Sequence, residues 1–140
     1  MSDSMQTPKS ASKPEGEPVL RAIAMPADTN PNGDIFGGWL LAQMDLAGGS
    51  LASQRSKGRV ATVAINAMTF HLPVHVGDEV SCYCRIERIG RTSITIAVET
   101  WTRAREASHR VKVTQGVFTY VAIDLDRRPR PVDETEGVRA

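Results

Sequence analysis

Gly37-Gly38-Trp39-Leu40-Leu41-Ala42-Gln43-Met44-Asp45-Leu46-Ala47-Gly48-Gly49-Ser50-Leu51-Ala52-Ser53-Gln54 decides the architecture of this chain. The stretch has no proline and many helix formers, so it reads as one long helix opened by a glycine pair. Trp39, Leu40, Leu41, Met44, Leu46, Ala47 and Leu51 leave no clean polar face. A helix that is apolar nearly all round must be wrapped by other structure. Four stretches of strand character follow it, at about Val60 to Phe70, Glu79 to Ile89, Ser93 to Arg103 and Val111 to Asp124. Val80, Cys82, Cys84 and Ile86 share one face, as do Ile94, Ile96 and Val98, with polar residues between them. Short connections at Gly77-Asp78 and Gly90-Arg91 predict hairpins and an antiparallel sheet. One buried helix against one long, curled antiparallel sheet is an α+β architecture.

Before the helix, Val19 to Met25 is a short apolar run ending at Pro26, consistent with a first strand stopped by a residue that cannot donate to a ladder. Asp28-Thr29-Asn30-Pro31-Asn32-Gly33-Asp34 concentrates turn-forming residues and predicts a loop. Residues 1–17 mix Ser, Pro, Lys, Glu and Gly without apolar periodicity and are expected to form a disordered leader. Residues 127–140, with Arg-Pro pairs and acidic residues, are expected to form a flexible tail, leaving one domain over residues 18–126. No internal repeat is seen.

Composition narrows the function classes. Hydrophobic residues make up 41% of the 140 positions and charged residues 24%, the balance of a globular protein with a real core. Seventeen Lys and Arg against 16 Asp and Glu provide no overall electrostatic case for a nucleic acid or an anionic membrane as partner. No run approaches the roughly 18 apolar residues of a membrane span, and the first residues lack the apolar core of a signal peptide, so the cytoplasm is the expected location. Cys82 and Cys84 are the only cysteines, and on an alternating strand they point to one side, where they read as reduced core thiols and not as a disulfide or a zinc site.

Asp45 is the most informative residue. A carboxylate in the middle of an apolar helix is costly to bury unless something pairs with it or uses it. Leu41 and Ala42 lie one turn before it and Gly48 and Gly49 one turn after, so no helical neighbour neutralises it, and the glycines leave space for another backbone or a ligand. The alternative is a structural carboxylate bound to a buried amide or a distant arginine. Gly37 and Gly38 are the second feature. The first N–H groups of a helix have no intrahelical partner, and without side chains a substrate carbonyl can approach them as in an oxyanion hole. A plain tight turn is the other reading. Gly38 and Asp45 are seven residues apart, about 10.5 Å along the axis at 1.5 Å per residue, which one small reacting group does not easily bridge. Two antiparallel copies of the helix across a twofold axis would bring Gly38 of one chain beside Asp45 of the other, so a dimer is expected.

The run Leu20 to Pro26, Asp28-Thr29-Asn30, Asn32-Gly33-Asp34-Ile35-Phe36-Gly37-Gly38-Trp39-Leu40 and Gln43-Met44-Asp45 resembles the signature of YciA-type acyl-CoA thioesterases. The resemblance extends through Gly58 to Val63, Met68-Thr69-Phe70, Pro73-Val74, Val76-Gly77-Asp78 and Phe118 to Asp124, about residues 18 to 130. It implies the hotdog fold, hydrolysis of acyl-CoA to coenzyme A and a carboxylic acid, and assembly through homodimers, often into hexamers. The family's catalytic aspartate falls on Asp45, its loop asparagine on Asn30, and its helix-opening glycines on Gly37 and Gly38. One departure is Asn66, where the family usually has an acidic residue, so that carboxylate's role does not carry over.

These residue types suit the chemistry. The Gly37 and Gly38 amides would polarise the thioester oxygen, Asp45 would act as general base or as nucleophile through an anhydride, and Asn30 would orient the water or the thioester. No metal and no cofactor is required, coenzyme A being part of the substrate. Arg88 and Arg91 flank the Gly90 turn, where they either meet the coenzyme A phosphates or stand solvated. Gly48-Gly49-Ser50 faintly resembles a nucleophile elbow but lies within a helix, and His71, His75 and His109 have no evident pairing. Two other functions stay open. Asp28-Thr29-Asn30-Pro31 resembles the motif of hotdog enoyl-CoA hydratases, whose required histidine is here replaced by Gly33. A non-catalytic acyl-CoA-binding domain is the other.

Overall fold

The structure is a computed structural model and describes residues 14–133. It consists of β1 (Leu20–Ile23), a single 3-10 turn (Pro26–Asp28), α1 (Gly37–Ser56), β2 (Val60–Phe70), β3 (Glu79–Ile89), β4 (Ser93–Arg103) and β5 (Val111–Ala122). The long helix stops where Lys57 turns left-handed at φ 59, with the Gly58 amide donating back to the Ser53 carbonyl at 3.2 Å. The five strands form one antiparallel sheet in the order β1-β3-β4-β5-β2, which leaves β1 and β2 at its edges. One helix against one antiparallel sheet is the α+β arrangement expected.

Only one of the two predicted hairpins forms. β3 and β4 turn at Gly90, whose amide donates to the Ser93 carbonyl at 2.8 Å. The connection at Gly77-Asp78 does not join paired strands, because β2 pairs with β5 and β3 pairs with β1 and β4. Gly77, at φ 94, donates instead to the Ala24 carbonyl at 2.8 Å, so the turn docks the chain against the end of β1.

The helix packs Met44, Ala47 and Ala52 onto Cys82, Ile94, Ile96, Val98, Phe118 and Tyr120 of the sheet. Its buried positions Leu40, Met44, Ala47, Gly48 and Ala52 follow the spacing of one stripe. The sheet therefore wraps one side of the helix and not the whole of it: Leu46 is 61% exposed. Cys82 and Cys84 are free and share the inner face. Burial pushes the Cys82 thiol up to about 11 and the Cys84 thiol to about 12, so both stay protonated and unreactive.

Residues 14–17 carry no helix or strand, and the rest of the expected leader lies outside the described residues. Pro14 and Glu15 line a cleft on the outer sheet face with Tyr83, Arg85, Glu99 and Trp101, away from every candidate residue. The expected tail boundary at residue 127 is corrected. Val132 is buried in the helix-facing core, and the Arg130 guanidinium donates to the Ser56 carbonyl at 3.0 Å and its hydroxyl at 3.1 Å. This cation neutralises the orphan carbonyls of the helix C-terminus, which is why polar chain packs there. Packed chain thus continues to Asp133, bound to Arg55 at 2.7 Å, and residues 134–140 lie outside the described residues. Among the described residues no helix is long and apolar enough to cross a membrane.

Candidate active site

Asp45 sits in the third turn of α1, half-buried, with its side chain turned to the sheet. No arginine or lysine pairs with it among the described residues, and no backbone amide donates to its carboxylate. Two hydroxyls hold it instead: Thr62 Oγ1 of β2 donates to Asp45 Oδ1 at 2.7 Å, and Tyr120 Oη of β5 donates to the same oxygen at 3.0 Å. The phenol also lies 3.1 Å from the Asp45 carbonyl. Burial first, then the negative charge of Asp45 and the hydrogen bond to it, push the Tyr120 hydroxyl well above its usual range, so it remains a donor. The carboxylate thus has two hydroxyl donors and no counter-cation among the described residues.

The helix begins at Gly37 without a side-chain cap, because Phe36 occupies the capping position. Trp39 and Leu40 donate to the Phe36 carbonyl at 3.1 and 3.3 Å, while the Gly37 and Gly38 amides have no backbone partner among the described residues. Neither glycine has positive φ, so the backbone conformation does not require glycine at either position. Space does distinguish them. A Cβ at Gly38 would meet nothing within 4 Å, and one at Gly37 would touch the Phe70 ring at 3.6 Å. The pair therefore presents free amides at an open surface.

Asn30 organises the loop that feeds this helix end. Its Oδ1 accepts from the Asn32 amide at 2.9 Å and the Asp34 amide at 3.1 Å, and its own amide donates to the Asp34 carbonyl at 2.7 Å. Two donors on one atom identify it as the oxygen, and the carboxamide NH2 has no partner among the described residues. Phe36 N–H to the Asp28 carbonyl, 2.9 Å, ties the loop to the start of α1.

Within one chain these groups are not brought together. No hydrogen bond joins Asn30, Gly37 or Gly38 to Asp45, which lies two helical turns further along. Arg88 and Arg91 are exposed at the far end of the sheet, where the Arg91 carbonyl accepts from Val132 beside the helix C-terminus. Asn66 is exposed on β2 at an irregularity that includes Ala67 at φ 52. Ser50 points outward from mid-helix, and the exposed His75 approaches Asp78 at 3.9 Å. The space reserved by Gly48 is taken by the Tyr120 ring and not by a ligand. Thr62 and Tyr120 escaped the sequence reading, because their link to Asp45 exists only once β2 and β5 lie over the helix. The available signal was Tyr120 itself, a polar-tipped residue in register with the inward-facing Phe118.

Residues 32–108 match the thioesterase superfamily. The acyl-CoA thioester hydrolase YciA of Salmonella typhimurium is 52% identical to this chain over 122 residues, covering 85% of this chain and 92% of that protein. YciA of Escherichia coli is 50% identical over 120 residues, covering 84% and 91%. The crystal structure of a hexameric thioesterase from Yersinia pestis superposes with a TM-score of 0.82 at 51% identity, covering 87% of this chain and 99% of that one. A hexameric hotdog-fold thioesterase of Campylobacter jejuni gives 0.80 at 41% identity, covering 84% and 91%. With this sequence identity over nearly the whole described chain, the protein has the hotdog fold and belongs to the thioesterase superfamily, among the YciA-type acyl-CoA thioester hydrolases.

Proposed function

We propose that this protein hydrolyses acyl-coenzyme A to free coenzyme A and a carboxylic acid, with Asp45 as the reacting carboxylate. One observation carries the role of Asp45: it is a half-buried carboxylate with no cationic partner among the described residues, held by two hydroxyls on a largely apolar helix. The reaction has two balanced routes. As a base, Asp45 takes the proton of a water whose oxygen bonds to the thioester carbon, the C–S bond breaks, and the proton passes to the departing thiolate. As a nucleophile, it forms an acyl anhydride and releases the thiolate, and water then splits the anhydride. In both, negative charge develops on the carbonyl oxygen, and the free amides of Gly37 and Gly38 are the donors suited to it. The free NH2 of Asn30 is suited to holding the water or the thioester.

The two helical turns between the glycine pair and Asp45 support a site completed by a second chain. We assign each site to two subunits, with Asn30, Gly37 and Gly38 of one serving Asp45 of the other. Support comes from what one chain leaves uncovered: β2 is an edge strand with its outer backbone unpaired, Val63, Phe70 and Leu46 are 56%, 53% and 61% exposed, and Phe36 at the helix start is 47% exposed. Such an edge and patch suit a second copy of this chain, and such dimers would assemble further into a hexamer. Arg88 and Arg91 are the cations assigned to the coenzyme A phosphates, because a partner chain running antiparallel brings this sheet end toward the other helix start.

A hydratase reading is disfavoured by Gly33, which sits where that chemistry needs a histidine and holds φ 87, a turn conformation that favours glycine. The test is release of free thiol from a panel of acyl-CoAs by the protein and by Asp45→Asn. A loss of at least about a hundredfold in turnover with binding retained is the expected result. Loss of enoyl absorbance without thiol would mean a hydratase, and binding without either would mean a carrier.

A further inference from the structure

We propose that Thr62 and Tyr120 are positioning residues that divide the work between the two oxygens of Asp45, anchoring Oδ1 and leaving Oδ2 as the atom that reacts. The proposal rests on the reading of Asp45 as the reacting carboxylate.

The geometry is asymmetric. Thr62 Oγ1 at 2.7 Å and Tyr120 Oη at 3.0 Å both donate to Oδ1, and among the described residues nothing donates to Oδ2. A carboxylate turns readily about its terminal torsion, whose wells are broad, so an unanchored Asp45 would exchange its oxygens freely. Two hydrogen bonds to a charged oxygen, arriving from two different strands, stop that exchange. They come from β2 and β5, which are themselves paired, with Thr62 directly opposite Tyr120 in the ladder. The two donors therefore move as one unit.

Tyr120 is held more firmly than a surface tyrosine. Its ring stacks on Phe118 with centroids 6.3 Å apart, its hydroxyl lies 3.1 Å from the Asp45 carbonyl, and Gly48 leaves room for it against the helix. A phenol has one proton, and among the described residues both of its acceptors belong to Asp45. Oδ2 is then the oxygen that takes the proton from water or bonds to the thioester carbon. Neither hydroxyl has to touch the substrate; both act through Asp45.

The test compares Thr62→Val, Thr62→Ser, Tyr120→Phe and Asp45→Asn in steady-state hydrolysis, with thermal melting as the check on folding. Thr62→Val and Tyr120→Phe should each lower kcat about tenfold while KM stays within about twofold, the sign of a group acting only on the reacting carboxylate. Thr62→Ser, which keeps the hydroxyl, should retain near-normal kcat. Thr62 is exposed, so its variants test the proposal even if Tyr120→Phe folds poorly. Wild-type kcat in folded Thr62→Val and Tyr120→Phe, beside an inactive Asp45→Asn, would overturn the proposal and leave the Asp45 reading standing. Losses confined to KM, or Thr62→Ser as impaired as Thr62→Val, would overturn it as well. A fully active Asp45→Asn would sink both.

Discussion

Gly48 on the helix and Tyr120 on β5 occupy each other's space: a Cβ on Gly48 would come within 3.0 Å of the Tyr120 Cζ and 3.1 Å of its Cε1, and closer still to the hydroxyl. The missing side chain is what lets the phenol reach Asp45, three residues earlier on the same helix. Gly48→Ala should therefore displace the ring. Helix propensity favours the alanine by about 1 kcal/mol, and overpacking costs about 1–3 kcal/mol, so the clash wins or nearly cancels in stability. Activity has no such compensation. We expect a fall in kcat at least as large as that of Tyr120→Phe, with a small change in melting temperature, read by steady-state kinetics and calorimetry. Gly49→Ala is the control, since its Cβ would sit 3.6 Å from the ring in ordinary contact.

Gly38→Pro removes one amide from the open helix start while keeping a residue that suits the first turn. Nothing within 4 Å opposes a side chain there. The variant should fold and lose activity, because the amide assigned to the thioester oxygen is gone. Full activity in a folded protein would remove Gly38 from that role and leave Gly37.

Sites shared between chains predict complementation. Chains carrying Asn30→Ala and chains carrying Asp45→Ala should each form inactive homodimers. Their mixed dimers have one site with both changes and one with neither. Random pairing makes about half the dimers mixed, so roughly a quarter of wild-type activity should return if the sites work independently. Chain exchange is confirmed by mass spectrometry, and confirmed mixed dimers without hydrolysis would place Asn30 and Asp45 in one chain's site or make the two sites interdependent.

Acid stability should depend on Glu79. Burial opposes its charge, but the hydrogen bonds and charges of Arg110 and Arg103, at 2.8 and 3.4 Å, outweigh that and hold the carboxyl below its usual range. A depressed folded-state pKa contributes stability that is present above the unfolded value of about 4.3 and is lost as pH falls through the folded value. Glu79→Gln should thus melt lower than wild type near neutral pH, and the gap should close on acidification below about pH 4. A gap independent of pH would show that packing, and not the ion pairs, stabilises this corner.

How much of this was legible in the sequence follows from the range of the forces involved. Local pattern sufficed for α1, for the alternating β3 and β4, and for Asp45 as the one carboxylate in an apolar helix, because these depend on spacing within a single element. The family motifs carried the hotdog fold, which the solved relatives bear out. Pairing across the sheet was not legible. The turn at Gly77-Asp78 looks like a hairpin from its residues, and only the placement of β1 beside β3 sends β2 to the opposite edge. The tail after residue 126 has a polar composition, yet Arg130 finds the orphan carbonyl of Ser56 and Val132 reaches the core, contacts between residues 74 positions apart in the chain in the case of Arg130 and Ser56. The same holds at the site. The sequence by itself determined which groups are present, a carboxylate, two helix-start glycines and an asparagine, since each is a property of its own segment. Tertiary structure alone decided that Thr62 and Tyr120 meet one oxygen of Asp45, because a hydrogen bond between three elements has no signature in any one of them.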